Sequence, residues 1–472
     1  MTITPRRLAG VLLLGAVLRL AAMPLGGTSD VGAWRVWTDV ASSDVAATYG
    51  AGPGETSVFN YPPVAALEFA ATGRALRVLD PAGEMPRAFN VLIKLTGALA
   101  EWGLCVVLLL WGTRRFGADA AQRAALSVWL SPALLIVGPI LGYLDAQTAV
   151  PAVLALCAVA GGWPAAAGAL AVVAALTKPQ AVLLLPAIAI MAWHRPWRDR
   201  LITLAGGTAT TALVLAPFAW RGTLGNIVPS ILVNLPDMAS GQAANVWWVL
   251  TWWVQRSSGD VVGLMSSVEL AANGYPFVNT IGVGLAGVVL TAGLWRSRRV
   301  ATLADASLLA AWCVHAYATL SVSVHENHLA LAVPFLLVAA GIRREWRALA
   351  AAVSLIVTAN VGLFYGLGES GWRGTPGYPH IAMPVLGAAM CLLCAWSASA
   401  LPRAMQAALA IAVAGTAVLG VARGAPLSIN SIRLAAGIDV TVVLSLVNII
   451  VFVWHTRTLW RMTAVDSASI DT

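Results

Sequence analysis

The stretch from His194 to Trp220, HRPWRDRLITLAGGTATTALVLAPFAW, decides the fold. Three arginines crowd its first seven residues, and the twenty residues after them carry no charge. As a helix rising 1.5 Å per residue, an apolar run of that length crosses roughly 30 Å of hydrocarbon, whereas a core strand needs only about 4–8 residues. The arginines fix one end of such a helix at a polar boundary.

The same alternation of apolar run and short polar connection recurs in both directions. It gives about fourteen expected membrane helices, over residues 8–26, 89–112, 124–142, 146–162, 164–177, 179–194, 201–220, 277–295, 303–322, 327–342, 348–366, 381–400, 404–422 and 438–455. Of the 472 residues, 59% are hydrophobic and 11% charged, too apolar a balance for a soluble globular domain. One continuous all-α integral membrane domain over residues 1–472 is therefore expected. The run after Arg6 and Arg7 lacks a small-residue cleavage site and reads as a retained first helix.

The arginine-dense connections lie at 114–123, 194–200, 296–299, 343–347 and 403, with Arg6–Arg7 and 457–461 at the termini. All fall on one side if the helices alternate, and the excess of positive charge makes that side cytoplasmic. A multi-pass protein of the plasma or inner membrane is expected, with both termini cytoplasmic. The long connections 27–88, 221–276 and 367–380 fall on the extracytoplasmic side, where loops on a rigid scaffold carry function. The net charge of +8 is dispersed in these topological clusters, which argues against a nucleic-acid partner. All five cysteines sit in apolar runs, so no disulfide framework is expected.

Candidate site residues gather in the extracytoplasmic connections. In GGTSDVGAWRVWTDVA, Asp30, Trp34, Arg35, Trp37 and Asp39 recur at helical spacing, as in an interfacial helix. Asp30 can cap that helix, or serve as a general base toward a hydroxyl. VFNYPPVA places Asn60 and Tyr61 ahead of two prolines that fix the backbone. GYLDAQTAV sets Asp145 at a helix start. ALTKPQ sets Lys178 and Gln180 at the same level, and Lys94 is the other lysine in the chain. Lys178 can snorkel to the interface, or supply a point charge for a phosphate. GQAANVWWVLTWWVQ brings Asn245, Trp247 and Trp248 into the second long connection, as membrane anchors or as a platform for a sugar ring or prenyl chain. In SVSVHENH, His325, Glu326 and His328 do not match the HExxH spacing and lack a third ligand, so no metal site is expected.

Taken in order, these motifs resemble the GT-C superfamily of multispanning glycosyltransferases that use polyprenyl-phosphate sugars. The layout is most similar to the branch of dolichol-phosphate-glucose- or mannose-dependent enzymes and their bacterial relatives. The resemblance rests on Asp30 with Trp34 and Trp37, Tyr61-Pro62-Pro63, GYLDAQ, Thr177-Lys178-Pro179-Gln180, Asn245 with Trp247 and Trp248, and His325-Glu326. It covers residues 30 to about 335. In GYLDAQ, Tyr143 and Leu144 depart from a Gly-Gln-x-Asp pattern often found in relatives, and Gln147 follows Asp145.

The resemblance implies an inverting transfer of a hexose, mannose or glucose, from a polyprenyl-phosphate donor to a hydroxyl of a lipid-linked, glycan or protein acceptor. Asp30 would be the catalytic base. Lys178, His325 and Arg35 would face the donor phosphate, and Tyr61, Asp145, Gln180, Asn245, Trp248 and Glu326 the substrates. No cofactor beyond the membrane-borne donor is implied, and no Gly-rich nucleotide loop follows a strand. The alternatives are a transporter or flippase for lipid-linked glycans, which would use mid-membrane charges such as Arg19, Lys94 and Glu101, or a glycan ligase with a diphosphate-linked donor.

Overall fold

The computed structural model describes residues 4–85, 87–234, 237–258, 263–365, 382–422 and 440–468. The third long connection, 367–380, lies outside the described residues. Regular structure among the described residues is helical, apart from isolated bridges of Gly241 and Gln242 with His325.

α1 (Pro5–Ala22) fills the first apolar run, and the connection after it folds into α2 (Ser29–Ser43), a 3-10 turn (Val45–Tyr49) and α3 (Pro63–Leu79). α4 (Ala88–Phe116), α5 (Ala118–Trp129), α6 (Pro132–Leu135) and a π-turn (Ile136–Ile140) come next. They lead into α7 (Asp145–Gly161), α8 (Pro164–Ala175), α9 (Leu185–Trp193) and α10 (Trp197–Trp220). The second long connection carries α11 (Ile227–Val233), α12 (Val246–Ser258) and α13 (Ser267–Ala272). The remainder is α14 (Val278–Arg296), α15 (Leu303–Leu320), α16 (Val333–Ile342), α17 (Arg347–Tyr365), α18 (Ala382–Ala398), α19 (Arg403–Ala422) and α20 (Val440–Ala468).

Within the described residues each expected apolar run is helical, and 7 helical stretches among them are both long and apolar enough to cross a membrane unaided. These are Ala88–Phe116, Ala118–Ile140, Trp197–Trp220, Val278–Arg296, Leu303–Leu320, Arg344–Tyr365 and Val440–Thr463. Several other runs are shortened or broken by proline, as at Pro164, Pro179 and Pro334. The architecture is that of a multi-pass membrane protein.

α15 is the axis of the bundle. It packs against α7, α9, α14, α16 and α20, and every residue in it except Tyr317 is buried. α10 and α14 lie at the periphery and turn large apolar side chains outward, among them Leu213, Val288 and Trp295, as helices facing lipid do. α10 approaches α8 at backbone distance: a Cβ on Gly168 would stand 1.9 Å from the Thr203 carbonyl oxygen, so glycine is required there.

The mid-helix charges act as internal ties. Arg19 Nε donates to Glu101 Oε2 at 2.8 Å, and its Nη1 donates to the carbonyl of Trp129 at 2.7 Å. Lys94 Nζ donates to the carbonyls of Leu25 and Ile140 at 2.6 and 2.9 Å. These contacts join α1, α4 and α5 with the turns that follow α1 and α6.

The bundle has two chemically distinct ends. At one end His194 Nε2 bonds the Arg298 carbonyl oxygen, Arg123 Nε donates to Gly341 O, and Arg344 reaches Asp119. The arginine-dense connections therefore meet one another. The connections holding Asp30, Tyr61, Lys178 and His325 meet at the opposite end. Along α15, Leu303 and Tyr317 mark the two ends, about 21 Å apart at the helical rise.

Candidate active site

Three backbone contacts assemble the site. The amide of Thr28 donates to Leu141 O at 3.0 Å, pinning the start of the first long connection against the end of the π-turn segment. Two glycines permit that approach: Gly27, with φ +80°, and Gly142, with φ +90°. A Cβ on Gly27 would stand 2.6 Å from Leu141 O, and one on Gly142 2.7 Å from Val31 Cγ2. Asp30, in the first turn of α2, is thereby set near Tyr143.

The second contact runs from the amide of Val64 to Leu176 O at 2.7 Å, bringing the YPP segment to the TKP segment. Pro179 disfavours helical backbone at Lys178, which is extended with φ −146° and ψ 138° and interrupts the chain between α8 and α9. In the third, Gly241 N donates to Val324 O at 2.7 Å and Ser323 N to Met238 O at 3.0 Å. These bonds hold the HENH connection against the second long connection. Gln242 and Ser323 sit at φ 58° and 55°, a region that side chains rarely adopt and that clusters at functional sites.

The result is a cavity of about 550 Å³. Of the residues expected from sequence, Asp30, Tyr61, Lys178, Gln180 and His325 line it. Tyr61 is held in an aromatic cluster, with Trp34 at 6.2 Å and Trp37 at 6.0 Å between ring centroids. The buried face of α2, Val31, Trp34, Thr38 and Ala41, repeats at helical spacing and turns that helix onto α3.

Electrostatics differ across the cavity. Among the described residues the Asp30 carboxylate has no hydrogen-bond or ion-pair partner, and Thr28, not Asp30, occupies the cap position of α2. Burial raises the Asp30 carboxyl above its ordinary 3.8; Lys178 opposes the rise and Asp145 adds to it. Burial, and next the charge on Lys178, hold the His325 imidazole below its ordinary 6.5, so it is neutral at pH 7 and able to donate one N–H.

Lys178 Nζ donates to Asp145 Oδ1 at 2.9 Å, and Asn327 Nδ2 donates to Asp145 Oδ2 at 3.0 Å. Asp145 is itself buried and acts on the cavity through Lys178. Gln180 reaches His328, with 3.2 Å between Nε2 atoms. The His325 amide and the Tyr317 hydroxyl both approach His328 Nδ1. That leaves Nε2 as the protonated nitrogen, and the Gln180 amide then presents its oxygen to it.

Glu326 lies behind this wall. Tyr143 and Tyr365 donate to its Oε1 at 2.7 and 3.0 Å, the two hydroxyls also touching each other, and burial pushes its carboxyl up to about 7. Asn245 and Trp248 lie outside the cavity. Asn245 Oδ1 accepts the Trp248 amide at 2.9 Å and so caps α12, while Trp248 Nε1 donates to Thr441 of α20 at 2.6 Å. Arg35 is exposed, its guanidinium 5.8 Å from the Phe89 ring, and does not line the cavity.

Sequence reasoning assigned no role to Asn327, Asn234, Ser323 or Tyr317, which also line the cavity. Asn327 stands inside the HENH motif and Ser323 two residues before it, so both belong to the SVSVHENH stretch. Asn234 follows the last residue of α11 and Tyr317 comes from α15, and neither carries a local signature. The chain matches no protein-family model and none of the curated proteins it was compared with.

Proposed function

We infer that this chain is an inverting, polyprenyl-phosphate-sugar-dependent hexosyltransferase of the GT-C type, working at the extracytoplasmic face of the plasma or inner membrane. About fourteen helices would span the bilayer, with α2 and α3 at its surface. The observation that carries the reading is the pairing, across one cavity, of an unpartnered carboxylate with a held ammonium. Asp30 would accept a proton, and Lys178 would offset developing negative charge.

In this reading Asp30 takes the proton of the acceptor hydroxyl as its oxygen bonds to the anomeric carbon. The bond between that carbon and the phosphate oxygen breaks, and polyprenyl phosphate leaves with the electron pair from the opposite face of the sugar. Lys178 and the His325 N–H offset the charge on the leaving phosphate. Asp145 and Asn327 position Lys178, and Gln180 with Tyr61 supplies hydrogen-bonding groups for sugar hydroxyls. A role for Asn245 and Trp248 would be to hold α12 and α20 around the site. Transport of a lipid-linked glycan would call on the mid-helix charges, but Arg19, Glu101 and Lys94 are already committed to internal contacts. Incubating the purified protein with a panel of synthetic polyprenyl-phosphate hexoses and acceptors tests the reading. Release of polyprenyl phosphate with formation of an inverted glycoside supports it, and the absence of release from every donor removes it.

A further inference from the structure

A second cavity, of about 360 Å³, opens at the arginine-dense end of the bundle. Arg115 at the end of α4, Arg195 after α9 and Arg343 after α16 line it, with the first turn of α15 at Leu303 and Ala304 forming part of its wall. Three guanidinium groups from three separate elements converge on one space. Their acidic neighbours do not balance them. Arg343 is paired with Asp305 at 3.1 Å, Asp199 stands 3.8 Å from Arg195, and Arg115 has no carboxylate partner among the described residues. Arg195 Nε is closed off from solvent and makes no hydrogen bond, its carboxylate neighbour Asp199 Oδ2 standing 3.8 Å away, beyond hydrogen-bond reach. A buried guanidinium N–H left unpaired is costly, and an anion in the cavity would satisfy it.

The location restricts which anion. The cavity lies at the far end of α7 and α15 from the candidate active site, at the end of the bundle where the arginine-dense connections meet, and Phe116 and Ile342 add apolar surface beside the arginines. A guanidinium cluster beside apolar surface at a membrane boundary matches a phosphodiester headgroup with its glycerol stem. We propose that this cavity binds the phosphate headgroup of an anionic phospholipid from the leaflet on the arginine-dense side.

Native mass spectrometry of the detergent-purified full chain tests this, dosed in parallel with phosphatidylglycerol, with phosphatidylcholine, and with phosphatidylglycerol plus millimolar inorganic phosphate. The wild type should retain phosphatidylglycerol over phosphatidylcholine. Arg115→Gln/Arg195→Gln should lower that retention about tenfold, the equivalent of one charge-assisted hydrogen bond. Arg115→Glu, which disturbs no described internal contact, should lower it as well, whereas Arg403→Gln, which does not line the cavity, should not. Equal retention of both lipids, or full retention by Arg115→Glu and the double variant, overturns the proposal. Displacement of the lipid by inorganic phosphate assigns the cavity to a soluble phosphate compound and overturns the lipid assignment.

Discussion

Lys178 and Asp145 form an ion pair 2.9 Å apart in which both side chains are closed off from solvent. The ammonium that faces the cavity is therefore held from behind by a carboxylate that does not. Removing one member strands the other charge in a buried position, at a cost of about 3–5 kcal/mol.

This pair separates structure from chemistry. Lys178→Met and Asp145→Leu should each lower the unfolding temperature in detergent. The double variant should recover much of that loss, because no buried charge is left unpaired, yet its transfer activity should stay as low as that of Lys178→Met. Activity restored together with stability would assign Lys178 a purely structural role.

Glu326 gives a prediction in pH. An unfolded glutamate titrates near 4.5, and burial moves this one to about 7. Between those values the folded chain keeps a proton that the unfolded chain has released, so this group's contribution is fully present below pH 4.5 and is lost as pH rises through 7. Thermal unfolding followed from pH 4.5 to 8 should show the decline, roughly 3 kcal/mol at most. Glu326→Gln keeps an acceptor for Tyr143 and Tyr365 and should flatten it. An unchanged slope in the variant would assign the decline to other groups.

Gly142 lets the two connections meet beside Asp30. With φ +90° and Val31 where a Cβ would go, Gly142→Ala should cost about 1–3 kcal/mol and shift α2. Transfer activity should fall further than Gly117→Ala makes it fall, since Gly117 also has positive φ but has open space around it and lies at the other end of the bundle. Equal effects of the two would remove the link between this contact and the site.

Much of this arrangement was legible in the chain. Helical segments follow from run length, and the two ends follow from where the arginines fall, because both depend on local composition. Asp30, Lys178 and His325 were found as polar residues at the ends of apolar runs on one side. What local pattern could not supply is direction. Asp145 looks equivalent to Asp30 in sequence, yet it turns inward to Lys178. Asn245 and Trp248 lie in a motif that reads as a binding platform, and the fold uses them to cap α12 and to join it to α20. The Asn245 role was the more accessible of the two, since Asn ahead of an apolar run is a helix-start signature. Trp248 depends on a partner 193 residues away.

Orientation can be read in whole cells. Single cysteines at Ala82, in the exposed turn after α3, and at Arg198, in the exposed first turn of α10, lie at opposite ends of the bundle. A membrane-impermeant thiol reagent should label Ala82→Cys and leave Arg198→Cys unlabelled. The reverse pattern would place the candidate site on the cytoplasmic side, where the arginine bias argues it is not.

The central claim is that Asp30 takes a proton from the acceptor hydroxyl. Polyprenyl-phosphate release by purified wild type, Asp30→Asn and Asp39→Asn measures it directly, because asparagine keeps the size of the side chain without its basicity. Asp39 lies on the exposed face of α2, away from the cavity, and serves as the control. With a donor the wild type uses, Asp39→Asn should release at the wild-type rate and Asp30→Asn about 10²–10⁴-fold more slowly, with an unchanged unfolding temperature. Release by Asp30→Asn at the wild-type rate would contradict the account.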